Sequence, residues 1–186
     1  MAMTDRDRSG DDPSDDELIA RWKAGDQRAA TELVERHGSA LARFAVSSGA
    51  TDGIDELVQD TFVRAFGSLD GFRGDSSFRT WLFTIERRLL LDRRRAERRR
   101  PQGSALTETD ASTEFDALDE LVASETVGRV KEAIARLTPT QREVFVLRVV
   151  EGLSYKDVAR VVKTTEGAAR VHYHNAMRVI KEIVNE

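Results

Sequence analysis

Apolar residues return every three or four positions along most of this chain, the spacing that predicts helices. Leu18, Ile19 and Trp22 share one face of a first helix. Gly25 and Asp26 supply a turn and an N-cap, and Ala30, Leu33 and Val34 continue on a second helix. The next segment is clearer, because Ile54, Leu57, Val58, Phe62, Ala65, Phe66 and Leu69 make one wide apolar stripe. Residues 72–77 (FRGDSS) then break the pattern with a glycine turn, and Ser76 or Ser77 can cap the helix that follows. On that helix Phe78, Trp81, Leu82, Ile85 and Leu89 form the stripe that should be buried.

The C-terminal part repeats the logic with stronger punctuation. Thr138, Pro139, Thr140 and Gln141 are a capping box with proline at the first helical position, followed by an apolar face of Val144, Phe145, Leu147 and Val150. Gly152 ends that helix. Ser154 caps a short helix carrying Val158, Ala159 and Val162, and Thr164 or Thr165 caps a longer one. In this last helix Ala169, Tyr173, Ala176 and Ile180 face inward, which leaves Arg170, Val171, His172, His174, Asn175 and Arg178 partly or wholly outward. Two helices joined by a few residues match a helix-turn-helix, whose second helix offers its first turns to a DNA major groove.

Composition supports an all-α fold. Three prolines, Pro13, Pro101 and Pro139, leave long stretches without a helix breaker, and β-branched residues do not dominate them. With 186 residues and 40% apolar content the chain can bury one moderate core or two small ones. No apolar run approaches the roughly 20 residues that span a bilayer, and the first residues are acidic where a signal peptide would be basic. The reading is a cytoplasmic protein with no membrane insertion, and the absence of cysteine suits a reducing compartment.

Charge changes the picture more, because it is sorted. Acids crowd residues 1–17, and between Pro101 and Gly128 there is no Lys or Arg while Glu108, Asp110, Glu114, Asp116, Asp119, Glu120 and Glu125 accumulate. These tracts predict a disordered acidic tail at 1–14 and a flexible acidic linker at 101–123 between two small helical domains, 15–100 and 124–186. Asp52, Asp55, Glu56 and Asp60 cluster at the start of the third helix, where carboxylates favour the positive end of the helix dipole and could also dock a basic partner. The opposite sign collects on the next helix. Between Glu86 and Arg100 eight arginines face only three acids, Glu86, Asp92 and Glu97. A guanidinium grips phosphate in a two-pronged fashion, so such a block is the footprint of nucleic-acid binding.

Enzymatic chemistry finds little support. The histidines are His37, His172 and His174, and the last two, two apart on one helix, point to different faces and make poor metal ligands. Neither a nucleophile–base pair nor a glycine-rich phosphate loop stands out. The sequence therefore reads as a non-enzyme with no cofactor and no metal site.

Two blocks carry a family resemblance. LTPTQREVFVLRVVEGLSYKDVARVVKTTEGAARVHYHNAMRVI resembles the promoter-reading domain 4 of bacterial sigma factors, and DELVQDTFVRAFGSLDGFRGDSSFRTWLFTIERRLLLDRRR resembles their domain 2. Two such domains in this order and at this length resemble the extracytoplasmic-function (ECF) class. The resemblance implies docking of Asp55, Glu56, Gln59 and Asp60 on the clamp helices of the RNA polymerase β′ subunit. It implies recognition and melting of a −10 element by Phe72, Arg73, Asp75, Ser76, Ser77, Arg79, Arg87, Arg88, Arg94, Arg95 and Arg98, with a flipped base captured near the loop. It implies reading of a −35 element by Thr165, Arg170, Val171, His172, His174, Asn175 and Arg178. The partners so implied are core RNA polymerase, through its β′ clamp helices and β flap, promoter DNA and an anti-sigma factor.

Three departures bear on specificity. Where many members have Ala-Arg-Asn, this chain has Glu86, Arg87 and Arg88; His172 and Asn175 stand where basic residues are common, which removes permanent charge; and Lys163 replaces a frequent glycine. A decoy that only sequesters an anti-sigma factor, or a stand-alone helix-turn-helix regulator, are the alternatives. The arginine block argues against the first and the whole N-terminal domain against the second.

Overall fold

The computed structural model describes residues 12–99 and 125–184. The expected linker, and all of the expected tail except residues 12–14, lie outside the described residues. Among the described residues the secondary structure is helical, with no strand, as the periodicity predicts. The fold divides after Ser39.

The first unit holds α1 (Asp15–Lys23) and the opening turns of α2 (Gln27–Ser47). Ser14 caps α1 with a full capping box: Glu17 N donates to Ser14 Oγ, and Ser14 N donates to Glu17 Oε2 at 2.7 Å. Asp26 caps α2 by accepting from Arg28 N at 3.0 Å, while Arg21 pairs with its other oxygen at 2.8 Å. Leu18, Ile19, Ala29 and Leu33 are buried, whereas Val34, expected on the inner face, is exposed. The buried His37 meets Asp15 Oδ2 at 2.9 Å, and Arg36 donates to Asp15 Oδ1 at 2.9 Å. Burial pushes the Asp15 carboxyl up, but the hydrogen bonds and charges of His37 and Arg36 outweigh it and hold the carboxyl below its ordinary value.

The second unit begins in the last turns of α2 and continues through α3 (Ile54–Gly67), a 3-10 turn (Leu69–Gly71) and α4 (Phe78–Arg99). Further along the chain come α5 (Glu125–Ala135), α6 (Pro139–Phe145), a π turn (Val146–Val150), α7 (Tyr155–Val162) and α8 (Glu166–Val184). Phe44 of α2 meets Phe83 of α4 edge to face at 5.2 Å, and Leu57, Phe62, Phe78 and Leu82 are buried where α3 and α4 pack together. Ala133, Leu137, Phe145, Val146, Ala176, Ile180 and Ile183 form a second cluster joining α5, α6 and α8.

The π turn corrects one expectation. In an α-helix Val150 would follow Leu147 onto the inner face, but a wider turn takes more residues per revolution and shifts the register. Glu151 N donates to Val146 O at 3.0 Å, Val150 turns outward to 51% exposure and the Glu151 side chain is carried inward. Gly152 then ends the segment with φ +68, a left-handed geometry that glycine adopts without strain.

Candidate nucleic-acid interface

The acidic face of α3 starts at Gly53, whose φ of +59 turns the chain into the helix. Asp55, Glu56 and Gln59 are exposed and Asp60 is half-buried. The structure gives this face an internal partner: Arg93 of α4 pairs with Asp60 Oδ2 at 3.1 Å and Glu56 Oε2 at 3.7 Å, and donates to Gly53 O at 3.1 Å. Arg93 is thereby drawn from the arginine block to the acidic helix.

The loop between α3 and α4 is organised by aromatic contacts. Phe72 lies 5.8 Å from Phe78 and 5.1 Å from Trp81, and Phe78 lies 5.8 Å from Trp81. Of the two candidate caps, Ser77 performs the task, accepting from Thr80 N at 3.1 Å. Phe72, Arg73, Asp75, Ser76 and Trp81 line an open cavity of about 500 Å³ together with Lys156 and Arg160 of α7. Arg160 donates to Asp75 O. The aromatic walls of Phe72 and Trp81 suit a stacked base, and Arg73 of the loop its phosphate.

Along α4 the arginines part company. Arg88, Arg95 and Arg98 are exposed, and Arg94 is half-buried beside Gly49. Arg79 and Arg87 are instead turned into the face that packs on α6 and α7. Arg87 Nε donates to Glu143 Oε2 at 2.8 Å; Arg79 donates to the Glu151 carboxylate and to Glu151 O, and Arg43 Nε adds a bond to Glu151 Oε1 at 3.0 Å. Glu143 and Glu151 are buried. Glu86 of α4 is also buried, at 0% exposure, with neither carboxylate oxygen accepting a hydrogen bond. Burial, and then the charge of Glu151, pushes the Glu86 carboxyl well above its ordinary value.

The sequence contained a signal for Glu86: it lies four residues from both Leu82 and Leu90 and so falls on a buried face by spacing alone. Counting it as a surface acid hid that. Glu143, Glu151, Arg43, Lys156 and Arg160 carried no comparable signal, because their roles depend on elements far away in the chain.

In the helix-turn-helix, Ser154 caps α7 by accepting from Asp157 N at 3.1 Å, and Thr165 caps α8 by accepting from Ala168 N at 3.1 Å. Lys163 occupies the turn at φ 56, ψ 55. Arg170, Val171, His174 and Arg178 are exposed, and His172 and Asn175 half-buried. Arg170 is held in place: it donates to Glu166 Oε1 at 2.6 Å and lies 4.4 Å over the Tyr155 ring, which itself packs against Tyr173.

Two family models match the chain, sigma-70 region 2 over residues 33–100 and sigma-70 region 4 over residues 128–180. RNA polymerase sigma factor NccH of Alcaligenes xylosoxydans xylosoxydans is 34% identical over 163 residues, covering 84% of this chain and 88% of that protein. The ECF RNA polymerase sigma-E factor of Haemophilus influenzae is 29% identical over 177 residues, covering 90% and 94%. The chain belongs to the ECF sigma factors. Among solved structures, the sigma factor resembles CnrH in complex with the cytosolic domain of CnrY, with a TM-score of 0.66, 30% identity and coverage of 93% of this chain and 98% of that one. It also resembles RpoE of Bartonella quintana in complex with the anti-sigma factor NepR, with a TM-score of 0.64, 25% identity and coverage of 83% and 96%. The family consists of transcription regulators rather than enzymes. Among the described residues no helix is long and apolar enough to cross a membrane.

Proposed function

We propose that this sigma factor binds core RNA polymerase through the acidic face of α3 and places two separate surfaces on a promoter: the loop 72–77 with the exposed arginines of α4 at the −10 element, and the start of α8 at the −35 element. The observation that carries the reading is the sorting of charge. Asp55, Glu56, Gln59 and Asp60 share one face of α3, whereas Arg88, Arg95 and Arg98 project from α4. Opposite charges on adjacent helices serve a basic protein partner and a polyanion at the same time.

At the −10 element, the cavity bounded by Phe72 and Trp81 takes the extruded base, and stacking there offsets part of the few kcal/mol that unstacking costs. Arg88, Arg95 and Arg98 hold phosphates of the same strand. At the −35 element, Arg170, already oriented by Glu166 and Tyr155, and Asn175 offer hydrogen bonds to base edges, Val171 a contact for a thymine methyl group, and Arg178 a phosphate contact. Residues 15–100 and 124–186 act as the two domains and 101–123 as the tether. Because CnrH and RpoE were solved with CnrY and an anti-sigma factor, respectively, a protein antagonist is a natural partner here as well.

Run-off transcription with purified core polymerase on a promoter-containing template tests the reading. The wild-type chain should confer start-site selection. Reversal of Asp55, Glu56 and Asp60 to Lys should abolish both core binding and transcription while the helical circular dichroism is kept; unchanged core binding would remove α3 from that role.

A further inference from the structure

The face where α4 meets α6 and α7 carries an oddity that promoter reading does not use. Glu86 is fully buried and accepts no hydrogen bond. The guanidinium groups of this face are engaged elsewhere: Arg43 of α2 and Arg79 hold Glu151, and Arg87 holds Glu143. From α7, Arg160 reaches past the cluster to the Asp75 carbonyl. On the α3 side, Asp60 pairs with Arg93, two turns further along α4. A carboxylate in a dry site without a donor is strained by desolvation, and a neutral carboxyl is far less so.

We propose that this face is a proton-biased latch: a proton on Glu86 lets α4 close against α7 and bring Lys156 and Arg160 to the pocket beside the loop 72–77, and loss of that proton opens the face and frees the pocket. The inference rests on the −10 assignment made above only for what the latch covers. Closure places Lys156 and Arg160 on the wall of the cavity of Phe72 and Trp81, with Arg160 bonded to the Asp75 carbonyl, so the helix-turn-helix of the same chain narrows the surface proposed to take a flipped base.

The sign follows from linkage. When the face is open, Glu86 meets water and titrates in the ordinary carboxylate range; when it is closed, burial raises its affinity for the proton. The closed form therefore binds more protons, and acid favours it. From the ordinary range up to the raised value in the closed form, the closing equilibrium falls by up to about tenfold for each pH unit of increase.

The chain has no cysteine, so Gly67→Cys and Lys181→Cys, both at exposed helical positions, give a unique pair of dye sites across the face. Energy transfer in the full-length protein, without polymerase or DNA, should fall as the pH is raised from about 5 to about 8.5. Glu86→Gln and Glu86→Ala should stay closed throughout, with helical circular dichroism confirming that each folds. Transfer independent of pH in the wild type, or the wild-type pH response persisting in both variants, would overturn the latch. Binding of a single-stranded DNA oligonucleotide, followed in parallel, should rise as transfer falls. If opening occurs but binding does not follow it, the latch stands and the −10 assignment fails.

Discussion

At the scale of single residues, Lys163 shows how a local conflict is placed at low cost. Its φ of 56 makes it the only non-glycine residue with positive φ among those described, and it closes α7 by donating its N–H to Ala159 O. An L-residue there costs about 1–2 kcal/mol through the clash of Cβ with the backbone, whereas glycine adopts the geometry freely. The Lys163 side chain is exposed, so its removal gives up little packing. Lys163→Gly should therefore stabilise the C-terminal domain by about 1 kcal/mol, a rise in thermal midpoint of about 4–8 °C for a domain of this size. Thermal unfolding followed by circular dichroism checks it, and a lower midpoint would mean that the side chain has a role in the turn. The caps at Ser77, Thr138, Ser154 and Thr165 were legible in the sequence because the donor and acceptor lie within three residues of each other. Glu86 was not, although its spacing placed it on a buried face. The charge that acts on it, Glu151, arrives more than sixty residues later in the chain, and periodicity carries no information about that distance.

At the scale of elements, the helices themselves were readable from apolar spacing, but the register after Leu147 was not. A π turn has no composition of its own, and its one-residue shift exchanges an expected inward Val150 for an inward Glu151. That exchange supplies the carboxylate that Arg43 and Arg79 grip, so a local irregularity of α6 decides which arginines of the second unit remain available. The arginine block of α4 is correspondingly heterogeneous. Arg95 and Arg98 stand in solvent, while Arg94 is half-buried and its guanidinium would lie 3.1 Å from a Cβ placed on Gly49. Replacing Arg94, Arg95 and Arg98 with Ala should flatten the dependence of promoter binding by the holoenzyme on log salt by about 0.9 for each phosphate no longer neutralised, chiefly through Arg95 and Arg98. Binding titrations across a salt series measure the slope. A slope equal to wild type would assign these arginines to something other than phosphates.

At the scale of the whole molecule, the second unit neutralises part of its own arginine charge. Glu151, at 4% exposure, is shared by Arg43 and Arg79, and Glu143 by Arg87, so cations that would face a polyanion are occupied by carboxylates of the helix-turn-helix domain. Glu151 is the buried member of both pairs, whereas the Arg43 and Arg79 side chains keep 45% and 36% exposure. Glu151→Ala leaves two guanidinium groups without their counter-charge, each already partly in water. Released from the carboxylate, those cations can bind phosphate. The variant should bind non-specific duplex DNA more tightly than the wild-type free protein, with a log–log salt slope steeper by about 0.9 for each arginine released, close to two in all. Fluorescence anisotropy across a salt series reads both quantities. The milder change Glu151→Gln should give the same direction with a smaller effect, since an amide still accepts from one guanidinium but carries no charge. Identical slopes for all three proteins would mean that Arg43 and Arg79 stay off the DNA even when Glu151 no longer holds them, and self-neutralisation by the second unit would then not govern its access to a promoter.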